Sequence, residues 1–111
     1  MARTARTGSA VAPTPTRSIL ENYVLIMKAL GDATRLDMVC LISTLAEYPC
    51  TSLEHALPVA KSTISYHIRI LSHAGLVSVR RQGRHFFYTL HRDVLEFYVP
   101  GMLERLDQDL S

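Results

Sequence analysis

A chain of 111 residues, 48% hydrophobic and 20% charged, fits one folded domain and leaves little room for two, so a multidomain enzyme is not expected. Twelve Lys plus Arg against ten Asp plus Glu leave a formal charge of +2, which names no partner until its distribution is known. Two cysteines, Cys40 and Cys50, exclude a disulfide-dense scaffold, and no run approaches the ~20 apolar residues that span a bilayer.

The charge is segregated. Residues 1–17 carry +3, residues 18–60 carry −3, residues 61–92 carry +6 with no acid among them, and residues 93–111 carry −4. The +6 block holds Lys61, Arg69, Arg80, Arg81, Arg84 and Arg92, so a surface built from it attracts a polyanion by Coulomb force and counterion release. A solvated charged face explains the same run, so charge alone does not decide between them.

In chain order, residues 1–16 mix small polar residues with Pro13 and Pro15 and read as a flexible arm ahead of one domain at 17–111. They lack a signal-peptide core, so a cytoplasmic protein with no membrane partner is expected. Ile19 or Leu20, Tyr23, Ile26 or Met27, and Leu30 recur at helical spacing and predict a first helix. Gly31 breaks it. Asp32 is placed to cap a second helix, whose Leu36, Met38, Val39, Cys40, Leu41, Ile42 and Leu45 predict a central position in the core.

Thr51 and Glu54 have capping-box spacing for a short third helix ending near Leu57 and Pro58. A fourth helix is expected from about Ser62 to Ala74. Its Ile64, Ile68 and Leu71 face the core, leaving Thr63, Ser65, Tyr66, Arg69 and Ser72 outward, and Gly75 ends it in a left-handed conformation. Alternation at Val77–Arg80 and at Phe86–Leu90 predicts two half-buried strands joined through Arg81-Gln82-Gly83-Arg84 as a basic hairpin tip.

From Arg92 the helical period returns through Leu95, Val99, Met102, Leu106 and Leu110, with Pro100 bending the helix or starting a second segment. This stripe and the first helix, through Leu20, Tyr23, Met27, Leu95, Val99, Met102 and Leu106, are the expected homodimer surface. A small core makes such association useful.

The fold class is therefore mainly α with a small antiparallel β-hairpin, a winged helix-turn-helix. A helix fits the major groove, and arginines on a hairpin reach flanking phosphates or the minor groove. The expected DNA-binding residues are Lys61, Ser62, Thr63, Ser65, Tyr66, Arg69, Arg80, Arg81 and Arg84. His67, directly before Ile68, reads as a packed, hydrogen-bonded side chain rather than a catalytic one. No Ser-His-acid signature, metal-hydrolase motif or phosphate-binding glycine loop is present, so no enzyme is expected.

The segments ALGDATRLDMV at 29–39, STISYHIRILSHAGLV at 62–77 and RRQGRHFFYTL at 80–90 resemble the ArsR/SmtB family of winged-helix transcriptional regulators, over about residues 19–98. The resemblance implies a recognition helix at Ser62–Ala74, a wing at Val77–Leu90, dimerising terminal helices and a double-stranded operator as partner; repression is the expected activity, with activation left open because sequence chemistry does not reveal promoter geometry. It also implies release of DNA when a metal ion, metalloid, thiol oxidation or another signal changes the dimer. Asp32 and Arg35 match a charged pair in the family motif and read as capping and connecting residues; Ala33 stands where the motif often has proline.

The sensor is the least specified part. Arsenic-sensing members have closely spaced cysteines near the start of the third helix, where Cys50 stands alone in Tyr48-Pro49-Cys50-Thr51-Ser52, while Cys40 reads as a core residue. His85, His91, Asp93 and Glu96 form a nickel or zinc cluster only if the wing and last helix approach one another. No cofactor is expected for folding. The alternatives to plain operator binding are a metal-responsive regulator, control by a partner protein, or a winged-helix protein-interaction module.

Overall fold

The computed structural model describes residues 17–110, with side chains as far as Asp107. The expected arm at 1–16 and the Leu110 side chain lie outside the described residues. The elements are α1 (Ile19–Leu30), α2 (Ala33–Ile42), β1 (Tyr48–Pro49), α3 (Cys50–Ala56), α4 (Lys61–His73), β2 (Val77–Gln82), β3 (His85–Leu90), α5 (Arg92–Tyr98) and α6 (Met102–Leu110). None of these helices is long and apolar enough to cross a membrane.

Local chemistry sets most boundaries. Ser18 accepts from the Glu21 N–H while Glu21 accepts from the Ser18 N–H, a reciprocal cap that starts α1. Asp32 caps α2 as expected, its Oδ2 accepting from the Arg35 N–H at 3.0 Å. Past α4, Gly75 has φ +83°, with Gly75 N–H bonded to the Ser72 carbonyl and Leu76 N–H to the Leu71 carbonyl. That is a Schellman ending, and its apolar pair, Leu71 and Leu76, is fully buried.

Arginines satisfy carbonyls at three helix C-termini, that of α4 included. Arg35 donates to Lys28 and Ala29 at the end of α1, Arg92 to Ser43 after α2, and Arg17 to His73 at the end of α4. Burial of Ile26, Met38, Ile42, Leu53, Ile64 and Leu71 then joins α1 through α4 around one core.

The sheet has the order β1-β3-β2, all antiparallel. Gln82 pairs with His85, so the turn is only Gly83-Arg84, shorter than the four-residue tip read from sequence. Gly83 has φ +63°, which a tight hairpin of this kind requires at its first turn position. Val77, Tyr88 and Leu90 are buried at the base, whereas Val79 and Phe86 are exposed nearer the tip. The half-buried alternation thus fades outward.

Four expectations need correction. The Thr51–Glu54 capping box does not form, because α3 starts at Cys50 with Pro49 as an unbonded cap, and Thr51 is already inside the helix. Leu45 is 53% exposed rather than in the core, since α2 ends at Ile42. The short strand β1, which extends the expected hairpin to three strands, carries no periodic signal in two residues. Leu95 is fully buried in the protomer's own core and offers no side chain to a second copy. Pro100 and Gly101, with φ +80° at the latter, divide the C-terminal region into α5 and α6.

Two outcomes test this account. Gly75→Ala should cost roughly 1–2 kcal/mol, the penalty of a side chain in the left-handed region, seen as a lower urea midpoint with unchanged slope. The Asp32 carboxyl is held below its usual value, first by the Arg35 N–H and further by the Arg35 charge. Its contribution is complete above the unfolded carboxylate pKa and is lost as pH falls through the depressed folded value. The stability advantage of wild type over Asp32→Asn should therefore be full near neutrality and close below about pH 4.

Candidate nucleic-acid interface

The segment from Lys61 to His73 folds as a two-sided helix. Ile64, His67, Ile68 and Leu71 are buried, while Lys61, Ser62, Ser65, Tyr66, Arg69 and Ser72 are exposed and Thr63 is intermediate. Ser62, Ser65, Tyr66 and Arg69 recur at spacings of three, one and three, which places them on one stripe. Tyr66 is 52% exposed. Burial of the opposite stripe is what turns this one outward.

The start of α4 is open in a second sense. Its N-cap is Ala60, with no side chain bonded to the first-turn amides. The Thr63 N–H turns back to the Ala60 carbonyl at 3.0 Å, so it is the Lys61 and Ser62 N–H groups, with the positive helix end and the Lys61 side chain, that are available to an anion.

The hairpin stands next to this stripe. A cleft of about 490 Å³ lies between them, lined on the helix by Lys61, Ser65 and Arg69 and on the wing by Val79, Phe86 and Tyr88. Helix and wing thus share one concave face. Arg84 and Lys61 also line an adjoining hollow of about 330 Å³, so the cationic tip and the helix start border the same region.

The wing arginines are not equivalent. Arg80 lies 4.7 Å above the Phe87 ring and donates to both Glu47 carboxylate oxygens, at 2.7 and 2.9 Å, and to Gln82. This fork holds the Glu47 carboxyl below its usual pKa. Arg81 bonds the Gly83 carbonyl and lies 5.7 Å from the Phe86 ring. Lys61, Arg69 and Arg84 have no ion-pair partner among the described residues. Arg80, expected as a phosphate contact, is therefore the wing cation already neutralised within the protomer. Glu47 was not singled out in the sequence, because its pairing spans 33 residues.

His67 is packed and hydrogen-bonded as expected, 8% exposed with Nδ1 3.0 Å from Arg35 Nη1. Of the expected dimer residues, Leu20, Tyr23 and Met27 are exposed on α1 beside Ile19 and Val24, while Val99, Met102 and Leu106 are half-buried. The Tyr23 and Tyr98 rings meet edge to face at 4.7 Å, and exposed Phe97 continues the apolar surface.

The nickel or zinc cluster is not assembled within the protomer. His85 and His91 lie at opposite ends of β3, roughly 20 Å apart at the ordinary rise of a strand. No group of three His, Cys, Asp or Glu side chains among the described residues is placed to hold a metal ion. Both cysteines are unpaired thiols. Burial raises the pKa of each, more than Asp37 does for Cys40 or Glu54 for Cys50, which favours the protonated and less nucleophilic form.

Residues 32–79 match the family model for bacterial regulatory proteins of the arsR family. The chain is 35% identical over 82 residues to the uncharacterized HTH-type transcriptional regulator YceK of Bacillus subtilis, covering 73% of this chain and 82% of that protein. It is 36% identical over 80 residues to the arsenic resistance transcriptional regulator ArsR1 of Pseudomonas putida, covering 72% of this chain and 62% of that one. Among solved structures, HlyU from Vibrio cholerae superposes with a TM-score of 0.67 at 26% identity, covering 84% of this chain and 96% of HlyU. The chain belongs to the ArsR family of bacterial regulatory proteins, and is a DNA-binding regulator of transcription rather than an enzyme.

Proposed function

We propose that this protein is a cytoplasmic homodimeric repressor that presents two copies of α4 to an approximately palindromic operator. The observation carrying this reading is the shared concavity: Lys61, Ser65 and Arg69 of α4 line one cleft with the wing, Arg84 lines the adjoining hollow, and Lys61, Arg69 and Arg84 have no ion pair among the described residues. Ser65, Tyr66 and Arg69 read base edges in the major groove. Lys61, Ser62, Thr63 and the first-turn amides bind phosphates, and Arg81 and Arg84 hold the flanking backbone. Arg80 braces the wing through Glu47.

Dimerisation is supported by the contiguous apolar exposure of Ile19, Leu20, Tyr23, Val24 and Met27 on α1. Phe97, Val99, Met102 and Leu106 extend it at the C-terminal end, and two-fold pairing buries this surface. Dimer symmetry then sets half-sites about one helical turn apart. The name of the Pseudomonas relative mentions arsenic resistance. In this chain burial shifts both thiols toward the protonated form, which makes each a weaker ligand for a soft metalloid.

Selection from a random duplex pool by the purified protein, with and without nickel or zinc, tests the reading. A palindromic motif should be enriched. Arg84→Ala should weaken binding to all duplexes alike and reduce the salt slope by about 0.9 per lost phosphate contact, whereas Arg69→Ala or Tyr66→Ala should change the preferred bases. No enriched motif in any condition, with partner binding unaffected by neutralising Arg69, Arg81 and Arg84, would point instead to a protein-interaction module.

A further inference from the structure

Arg35 stands where α1, α2 and α4 converge. Its backbone N–H is held by Asp32, its Nε donates to the Ala29 carbonyl at 2.6 Å, and its Nη2 donates to the Lys28 carbonyl at 3.3 Å. The remaining arm of the fork, Nη1, lies 3.0 Å from His67 Nδ1 on α4. A guanidinium has donors only, so Nδ1 is the acceptor and the ring proton of neutral His67 sits on Nε2.

The position of His67 gives this bond its consequence. It is 8% exposed and lies between Tyr66, which is 52% exposed, and Ile68, which is 5% exposed. The His67 and Tyr66 rings are 5.3 Å apart and tilted by 62°. Burial of Ile64, Ile68 and Leu71 holds α4 against the core, but apolar contact is non-directional and tolerates small rotations about the helix axis. A hydrogen bond from a charged fork is directional. Arg35 is itself fixed at three other points, so it supplies a rigid reference for that rotation.

We propose that Arg35, acting through His67, is a positioning residue that sets the rotation of α4, and so determines discrimination between DNA sequences without touching DNA. The inference rests on the reading that α4 meets base edges. Phosphate attraction by Lys61 and Arg84 depends little on that rotation and does not need the bond. Specific and non-specific binding therefore respond differently to its loss.

The test compares the full-length chain with His67→Leu, which fills the site but removes the acceptor, and His67→Asn, whose Oδ1 restores an acceptor near the Nδ1 position. Affinities are measured for the selected duplex and for a scrambled duplex of equal length, across a salt series, on variants whose circular dichroism matches wild type. His67→Leu should lose about tenfold or more of the specific-to-scrambled ratio, with scrambled-duplex affinity and salt slope unchanged. His67→Asn should recover most of that loss.

Arg35→Lys keeps the charge without the fork and should fall with His67→Leu, which preserves the comparison if the leucine variant does not fold. A wild-type ratio in His67→Leu, or an equal loss in His67→Asn, overturns this proposal alone. A wild type that itself shows no preference overturns the reading beneath it as well.

Discussion

Everything proposed for this protein depends on how α4 is packed. Ile64, Ile68 and Leu71 are removed from water among side chains of α1, α2 and α3, and that burial leaves Ser62, Ser65, Tyr66 and Arg69 pointing outward. A helix buried all round reads nothing, and one exposed all round is not held still. The Schellman ending at Gly75 then directs the chain into β2, which brings the wing back beside the same helix. The concave face is thus a consequence of one buried stripe and one left-handed glycine.

The basic residues divide into two kinds. Arg17, Arg35 and Arg92 are committed to carbonyls at helix ends, and Arg80 to Glu47, so these cations stabilise the scaffold. Lys61, Arg69 and Arg84 have no such ion pair among the described residues, and Arg81 spends only part of its fork on the Gly83 carbonyl. The +6 run of the sequence therefore overstates the charge presented to a polyanion. A charge sum is local, whereas the partners that neutralise it lie far along the chain.

What was legible in the sequence follows the same division. Helices with a single apolar stripe, the left-handed Gly75, the Asp32 cap and the hairpin were readable because their causes are local. The Ser18–Glu21 box had the same spacing as Thr51–Glu54; the first forms and the second fails because only Ser18 precedes its helix. The pairing of Tyr48 with Tyr88, Leu95 turning inward and Arg35 reaching His67 all depend on tertiary placement. The proposed metal cluster joined residues that a straight strand keeps apart, and strand geometry alone argued against His85 meeting His91.

The most direct measurement is backbone amide hydrogen exchange of the protein with and without its selected duplex. Protection should increase at the start of α4, at Lys61 and Ser62, and around Gly83-Arg84, where the uncapped amides and the wing tip meet phosphates. Unchanged exchange there, with protection confined to α1 and α6, would contradict the account by placing the nucleic acid away from α4 and the wing.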